Sequence, residues 1–272
     1  MNTAMPIRCF RALRLGLHLC RGLATVLLMY PLLRQSRRLR LKQRWSRQLL
    51  GILAVRIDAR LDGVVPGSLF VANHVSWLDI FALNAVCPLA FVAKSEVRDW
   101  PVIGWLVAHT DTLFIRRGSR QDAVNTCAEL AGRLCAGRDV AIFPEGTTTD
   151  GTRVLAFRAA LLQAAIDAQR PVQPIAIAYD DIIGRRTTIP AYAGETTMLE
   201  SLAAILACRG LTVRLRATPA LTAESLSRRQ LAQMAHDAIA DALGVPPTSP
   251  GDDGDIVADS AAGMPVLAAV SR

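Results

Sequence analysis

The sequence predicts an α/β fold, a parallel or mixed sheet with helices on its faces, and three observations carry that expectation. Apolar runs of strand length recur at residues 68–73, 89–93, 112–115, 139–143 and 172–178. Stretches of helical character lie between them, and strands alternating with helices bury both sheet faces under helices. The 272 residues, 51% apolar and 20% charged, can bury a sizeable core in one α/β domain or two small ones.

The N-terminal arm, residues 1–57, stands apart from this pattern. It holds twelve of the 31 Lys and Arg residues, and the first acidic residue is Asp58. The remainder carries 19 basic against 23 acidic residues, so a mildly acidic body follows a strongly basic arm. Such asymmetry points to a polyanionic surface, either nucleic acid or anionic lipid. The apolar pattern favours lipid. Residues 22–33 (GLATVLLMYPLL) form a continuous apolar stretch of twelve, and Leu41, Trp45, Leu49 and Leu53 then recur every four residues among Arg and Lys. The second pattern is one stripe of a basic amphipathic helix, with a Trp fit for the membrane interface. A bilayer span needs about 20 apolar residues, a length reached here only by taking in His18 and Arg21. An Arg deep in a bilayer costs about 2.5–3.5 kcal/mol on insertion scales. The expectation is therefore a membrane-associating helical hairpin on one leaflet, with a true span, or an arm packed on its own domain, as alternatives. Pro31-Leu32-Leu33-Arg34 stands where a small-residue cleavage site would follow, so no cleaved signal peptide is expected.

The body, residues 58–245, reads in order as follows. Residues 68–73 (SLFVAN) form a buried strand after the Pro66-Gly67 turn, and 77–86 a helix ending before Pro88. A short strand at 89–93, a helix at 100–109 and a strand at 112–115 come next. A helix at 121–136 closes on Gly137. The strand at 139–143 runs into a Gly/Thr loop reaching Thr152, then a helix at 157–168 and a strand at 172–178. A strand at 211–217 and a helix at 223–243 complete the domain. Residues 246–272 combine Pro, Gly, Ser and four Asp and read as a disordered tail. The six cysteines, at 9, 20, 87, 127, 135 and 208, include no C-x-x-C pair or zinc-ligand cluster. Reduced thiols in a cytosol-facing protein are expected. The composition excludes wholesale disorder, collagen and a coiled coil, and no series of long uncharged runs suggests a multi-span transporter.

Four constellations could carry chemistry. The first is Asn73-His74-Val75-Ser76-Trp77-Leu78-Asp79, a strand end running into a helix, where open α/β sheets bind ligands. On a continuous helix His74 and Asp79 would diverge by roughly 140°. With His74 in the turn and Asp79 one turn inside the helix they can meet, and the carboxylate then fixes the imidazole in one tautomer with its other nitrogen as a base. Ser76 is placed to be the N-cap. The second is Phe143-Pro144-Glu145-Gly146-Thr147-Thr148-Thr149-Asp150-Gly151, whose glycines, hydroxyls and backbone N–H groups suit an oxyanion or phosphate. The third is Leu113-Phe114-Ile115-Arg116-Arg117-Gly118, a strand ending in two cations able to grip phosphate or carboxylate. The fourth is Val172-Gln173-Pro174-Ile175-Ala176-Ile177, an apolar strand whose central Pro suggests an edge or bulge.

In this order and spacing the four resemble the lysophospholipid acyltransferase family, best known for its 1-acylglycerol-3-phosphate acyltransferases. The first block looks like that family's N-H-x-S-x-x-D box, the third like its G-x-x-F-I-x-R box, the second like its F-P-E-G-T box and the fourth like its V-P-V-x-P-type strand. The resemblance covers about residues 60–220. It implies a glycerolipid acyltransferase-like fold with a mixed, largely parallel sheet. It also implies transfer of a fatty acyl group from acyl-CoA or acyl carrier protein to the free hydroxyl of a lysolipid. Lysophosphatidate giving phosphatidate is the first acceptor and lyso-ornithine lipid the alternative. His74 matches the catalytic base and Asp79 its orienting partner. Arg117 matches the head-group Arg, with Arg116 beside it, and Glu145, Gly146 and Thr147 match the acceptor-site box. Glu145 would repel a bare phosphate and is assigned to hydroxyl contact or to bracing an Arg.

The chemistry fits these residues independently. A lipid hydroxyl is a poor nucleophile at neutral pH, and a positioned base contributes roughly 10²–10⁴-fold. Backbone N–H groups around Gly146–Thr148 are candidate oxyanion donors, each worth roughly 3–4 kcal/mol. Direct transfer is expected, since no G-x-S-x-G elbow is present and no Cys pairs with a His. Two departures bear on the head group. Arg116 stands where some members carry an acidic residue, and Thr148 where many carry Arg, with Arg153 or Arg116 the candidates to compensate. Phe157-Arg158-Ala159-Ala160 stands where a Gly is frequent. Two rival classes are weaker. A serine hydrolase or thioesterase built on Ser76 lacks the nucleophile elbow. A nucleic-acid binder lacks aromatic interleaving, a zinc motif or a helix-turn-helix signature. His18, His109 and His236 read as structural or surface residues. No metal and no cofactor beyond the acyl donor is expected. The expected partners are anionic membrane lipids, the lysolipid and the acyl donor, at the cytoplasmic face of a membrane.

Overall fold

A computed structural model describes residues 3–99, 103–116 and 120–246. In the arm, α1 (Met5–Ala24) continues through a π-helical turn at Thr25–Met29 and a 3-10 turn at Tyr30–Leu32, and α2 (Gln35–Ile52) follows. The body contributes β1 (Val55–Arg60), β2 (Leu69–Ala72), α3 (Leu78–Val86), β3 (Ala90–Lys94), α4 (Ile103–Ala108), β4 (Thr112–Ile115) and α5 (Arg120–Cys135). It continues with β5 (Val140–Ile142), α6 (Gln163–Asp167), β6 (Val172–Asp180), α7 (Met198–Ala207), β7 (Leu211–Ala217) and α8 (Arg228–Leu243).

The strands form one sheet in the order β1-β7-β6-β2-β5-β3-β4. Every pairing is parallel except β6 with β7, so the mixed, largely parallel sheet expected from the sequence is the one observed. Side chains alternate between two cores, as a two-residue period requires. Phe70 and Ala72 of β2 join Ile175, Ile177 and Tyr179 of β6 beneath α2 and α3. Leu69 and Val71 join Val172 and Ala176 beneath α5 and α8. Strands buried on both faces read as continuous apolar runs rather than alternating ones, which is why β2, β5 and β6 were visible in the sequence.

Four expectations need correction. First, β1 begins at Val55, so the sheet starts inside the stretch read as arm. Arg56, Asp58 and Arg60 alternate there with Val55, Ile57 and Ala59, the signature of a half-exposed strand. Second, the stripe that begins at Leu41 turns inward from Trp45 onward, so Trp45, Leu49 and Leu53 do not face a membrane. Leu49 and Leu53 are buried in the core, and Trp45 stacks on His18 at 4.6 Å and donates to its carbonyl. Third, some of the arm's cations serve the fold. Arg47 donates to Ala85 O at the C-terminal end of α3, where a cation complements the orphan carbonyls, and the neutral Gln43 amide donates to Val86 O beside it. Lys42 donates to Leu89 O just beyond the helix. Burial lowers the Lys42 ammonium to about 8. Fourth, the helix expected over 157–168 begins only with a 3-10 turn at Ala160–Leu162. Leu155 N donates to Glu145 Oε2 and Arg158 N to Pro144 O, holding the preceding residues off the helical path. Within the helix expected over 100–109, residues 100–102 lie outside the described residues, and so does the tail from residue 247.

The outward side of α1 is apolar. Met5, Ile7, Phe10, Leu13 and Leu17 are exposed, as are Leu27, Leu28 and Leu32 beyond it. Met5–Leu32 is long and apolar enough to cross a membrane by length and composition. Its Arg21 is turned towards α2, bonded to His18 Nδ1 and Gln48 Oε1.

Candidate active site

β2 ends beside β5 and β6, and its last turn carries the first motif. Asn73 is buried and locks β2 to β6 through both of its amide atoms: Oδ1 accepts from Ile177 N at 2.8 Å and Nδ2 donates to Ile177 O at 3.0 Å. His74 lies in the turn and Asp79 on the first turn of α3, the arrangement in which residues five apart can meet. The His74 Nδ1 to Asp79 Oδ2 distance is 2.9 Å. The same oxygen accepts from Val75 N at 2.7 Å and Ser76 N at 2.9 Å, and Oδ1 accepts from Tyr179 OH at 2.6 Å. Asp79 is fully buried, and these donors together with the helix N-terminus replace its lost hydration. Burial, and then the Asp79 carboxylate, push the Tyr179 phenol well above its ordinary range, so it stays a donor. Trp77, not Ser76, is the α3 cap residue, while Ser76 Oγ accepts from Leu78 N at 3.3 Å.

A carboxylate can only accept, so Nδ1 carries the proton and Nε2 the lone pair. The ring is further fixed by a stack on Phe143, 3.9 Å between centroids and 9° between planes. The His74 side chain keeps 18% of its surface exposed. The site thus holds an oriented, accessible imidazole lone pair at the carboxyl edge of the sheet.

The F-P-E-G-T loop is joined to this turn by backbone bonds. Glu145 is 3% exposed. Its Oε1 accepts from His74 N at 2.6 Å and its Oε2 from Leu155 N at 3.0 Å. It therefore braces the histidine's own backbone and the loop at Leu155, where the sequence had suggested contact with a hydroxyl or the bracing of an Arg. Thr149 N donates to His74 O at 2.8 Å, and Thr148 Oγ1 donates to Tyr192 O. Gly146 adopts φ +72°, the left-handed region, and its amide closes the turn on Phe143 O at 3.1 Å, which takes it out of the set of candidate oxyanion donors. Thr147 sits half-buried in the same loop.

Of the two cations in the third motif, Arg116 is the one among the described residues. Arg116 ends β4, three strands from β2 in the sheet order, or about 14 Å by strand spacing alone. Its side chain is exposed and pairs with Asp122 at 3.6 Å. Arg117 lies outside the described residues. Arg153 is exposed on the loop. Tyr179 was not visible as a contributor in the sequence, and Arg158 stood out there only within Phe157-Arg158-Ala159-Ala160. The signal for Tyr179 was a lone phenol ending an aliphatic strand. Arg158 lies against Gly146, where an added Cβ would stand 3.2 Å from its guanidinium carbon.

Residues 62–178 match the family model described as Acyltransferase. The chain is 39% identical over 211 residues to a lyso-ornithine lipid O-acyltransferase of Pseudomonas aeruginosa, covering 75% of this chain and 80% of the relative. It is 38% identical over 218 residues to the enzyme of that name from Brucella abortus, covering 72% and 81%. Over 148 residues it is 43% identical to a 1-acyl-sn-glycerol-3-phosphate acyltransferase of Neisseria meningitidis, covering 54% and 58%. The crystal structure of the 1-acyl-sn-glycerophosphate acyltransferase of Thermotoga maritima shares the fold, with a TM-score of 0.64 at 21% identity over 87% of this chain and 96% of that one.

Proposed function

The chain belongs to the acyltransferase family, and on that premise we propose that it transfers a fatty acyl group from acyl-CoA or acyl carrier protein to the free hydroxyl of a lysolipid. The observation that carries the proposal is the His74 ring, held through Nδ1 by a fully buried Asp79 with its second nitrogen accessible. Nε2 takes the proton as the acceptor oxygen attacks the thioester carbonyl. The tetrahedral intermediate then collapses, the C–S bond breaks, and the imidazolium returns the proton to the leaving thiolate. Asp79 stabilises the imidazolium between these steps. No acyl-enzyme forms, and the chain needs no metal or cofactor beyond the acyl donor.

Lyso-ornithine lipid is the favoured acceptor, supported by the Pseudomonas and Brucella relatives that match over four-fifths of their length and by Thr148 after the F-P-E-G-T box. Lysophosphatidate is the second reading, supported by the Neisseria relative. Arg117, Gly146 and Thr147 belong to the acceptor side of this reading. The apolar face of α1 rests on the cytoplasmic leaflet, with Arg37, Arg40 and Arg44 beside Met29, Leu33 and Leu41 at the anionic lipid surface. The test offers labelled acyl-CoA and acyl carrier protein to the full chain in vesicles, with either lysolipid. The expected product is the O-acylated lysolipid, formed faster from lyso-ornithine lipid. Free fatty acid released equally without acceptor would overturn the proposal.

A further inference from the structure

Both candidate acceptors present an anionic group near the reacting hydroxyl, a carboxylate in one and a phosphate in the other, and the site must supply a cation to it. This inference rests on the lysolipid reading above. Among the described residues the cations flagged by the sequence are poorly placed. Arg116 is three strands from His74 and paired with Asp122, and Arg153 extends from the outer part of the loop.

Arg158 is placed differently. Its guanidinium lies against Gly146, the residue that follows the Glu145 holding the His74 amide. The approach is close, since a Cβ added at Gly146 would stand 3.2 Å from Arg158 Cζ and Nε. The segment that carries Arg158 is pinned at successive points. Leu155 N is bound by Glu145, and Arg158 N donates to Pro144 O at 2.9 Å. Val154 O lies 3.2 Å from His236 Nε2, and Phe157 meets the His236 ring edge-on at 5.3 Å. A guanidinium on so constrained a backbone loses little freedom when it grips an anion. Arg158 is exposed and forms no ion pair with any described residue.

We propose that Arg158 is a cation that binds the anionic group of the lysolipid acceptor. The test compares wild type with Arg158→Gln and Arg158→Lys, full-length in neutral phosphatidylcholine nanodiscs. It measures equilibrium binding of each lysolipid without donor, and turnover with acyl-CoA. Arg158→Gln is expected to weaken acceptor binding, and to raise acceptor KM, by about tenfold to a hundredfold, with kcat and donor KM little changed. Arg158→Lys is expected to recover most of the loss, which a packing role would not reward over Gln. The acceptor with the larger loss identifies which anion the guanidinium grips. Equal behaviour of the Gln and Lys variants, or unchanged binding in both, would overturn the assignment. Wild type that binds a lysolipid but transfers no acyl group would instead overturn the reading on which it rests.

Discussion

Among its described residues the molecule holds two histidine–aspartate pairs of nearly equal geometry, and only one leaves its far ring nitrogen open. His74 Nδ1 stands 2.9 Å from Asp79, and His236 Nδ1 stands 3.0 Å from Asp237. The difference lies in what surrounds each. Asp79 is sealed and accepts from four donors, while Asp237 is about half exposed and also accepts from Gln233 at 2.8 Å. His236 is itself sealed, and its second nitrogen lies against Val154 O. His74 keeps its second nitrogen accessible. A His–Asp contact is therefore weak evidence of catalysis until the far nitrogen is known to be unclaimed and reachable.

The sharpest way to break this contrast is to remove each imidazole. His74→Ala is expected to cut acyl transfer by about 10²–10⁴-fold while the melting temperature and vesicle binding hold. His236→Ala is expected to do the opposite. It removes a packed ring and a buried hydrogen bond, so stability falls by roughly 2–4 kcal/mol in denaturant titration, while the turnover number survives where the protein is folded. Comparable turnover losses in the two would erase the distinction.

Tyr179→Phe probes the seal on Asp79. It leaves one carboxylate oxygen without its buried donor, and unfolding titrations should register a loss of about 1.5–3 kcal/mol. The accompanying fall in kcat should be smaller than that of His74→Ala, because the Nδ1 contact remains.

The smallest effect concerns the arm. Lys42 is lowered to about 8 in the folded protein from an ordinary 10.5, because it is buried. Above pH 8 the unfolded chain holds more protons at this site than the folded one, so stability rises with pH there. The penalty is fully present below about pH 8 and is gone above 10.5. Chemical denaturation across that window should show the rise in wild type and lose this component in Lys42→Met.

The sequence made the site's two main boxes legible because their chemistry is local. His74 and Asp79 are five apart, and the F-P-E-G-T box follows a buried apolar strand. The doubly buried strands were legible for the same reason, each being one apolar run. Tyr179 was not, since its partner Asp79 is 100 residues away and no periodicity links them. Within the arm, the α2 stripe misled for a physical reason. An apolar stripe flanked by cations looks alike whether it meets lipid or a neighbouring helix, and here α2 turns its stripe inward from Trp45 onward while α1 leaves its own outside. The α7 helix carried a readable capping box, Thr197 with Glu200, but little else, and was missed.

The central claim is that Asp79 acts through His74, and a double-variant comparison tests it most directly. Acyl-transfer rates are measured for His74→Ala, Asp79→Asn and the two combined, in the same vesicles. Because the pair works as a unit, the combined variant should be no slower than His74→Ala alone, with Asp79→Asn deeply impaired by itself. Losses that multiply, or an Asp79→Asn protein that turns over like wild type, would contradict it.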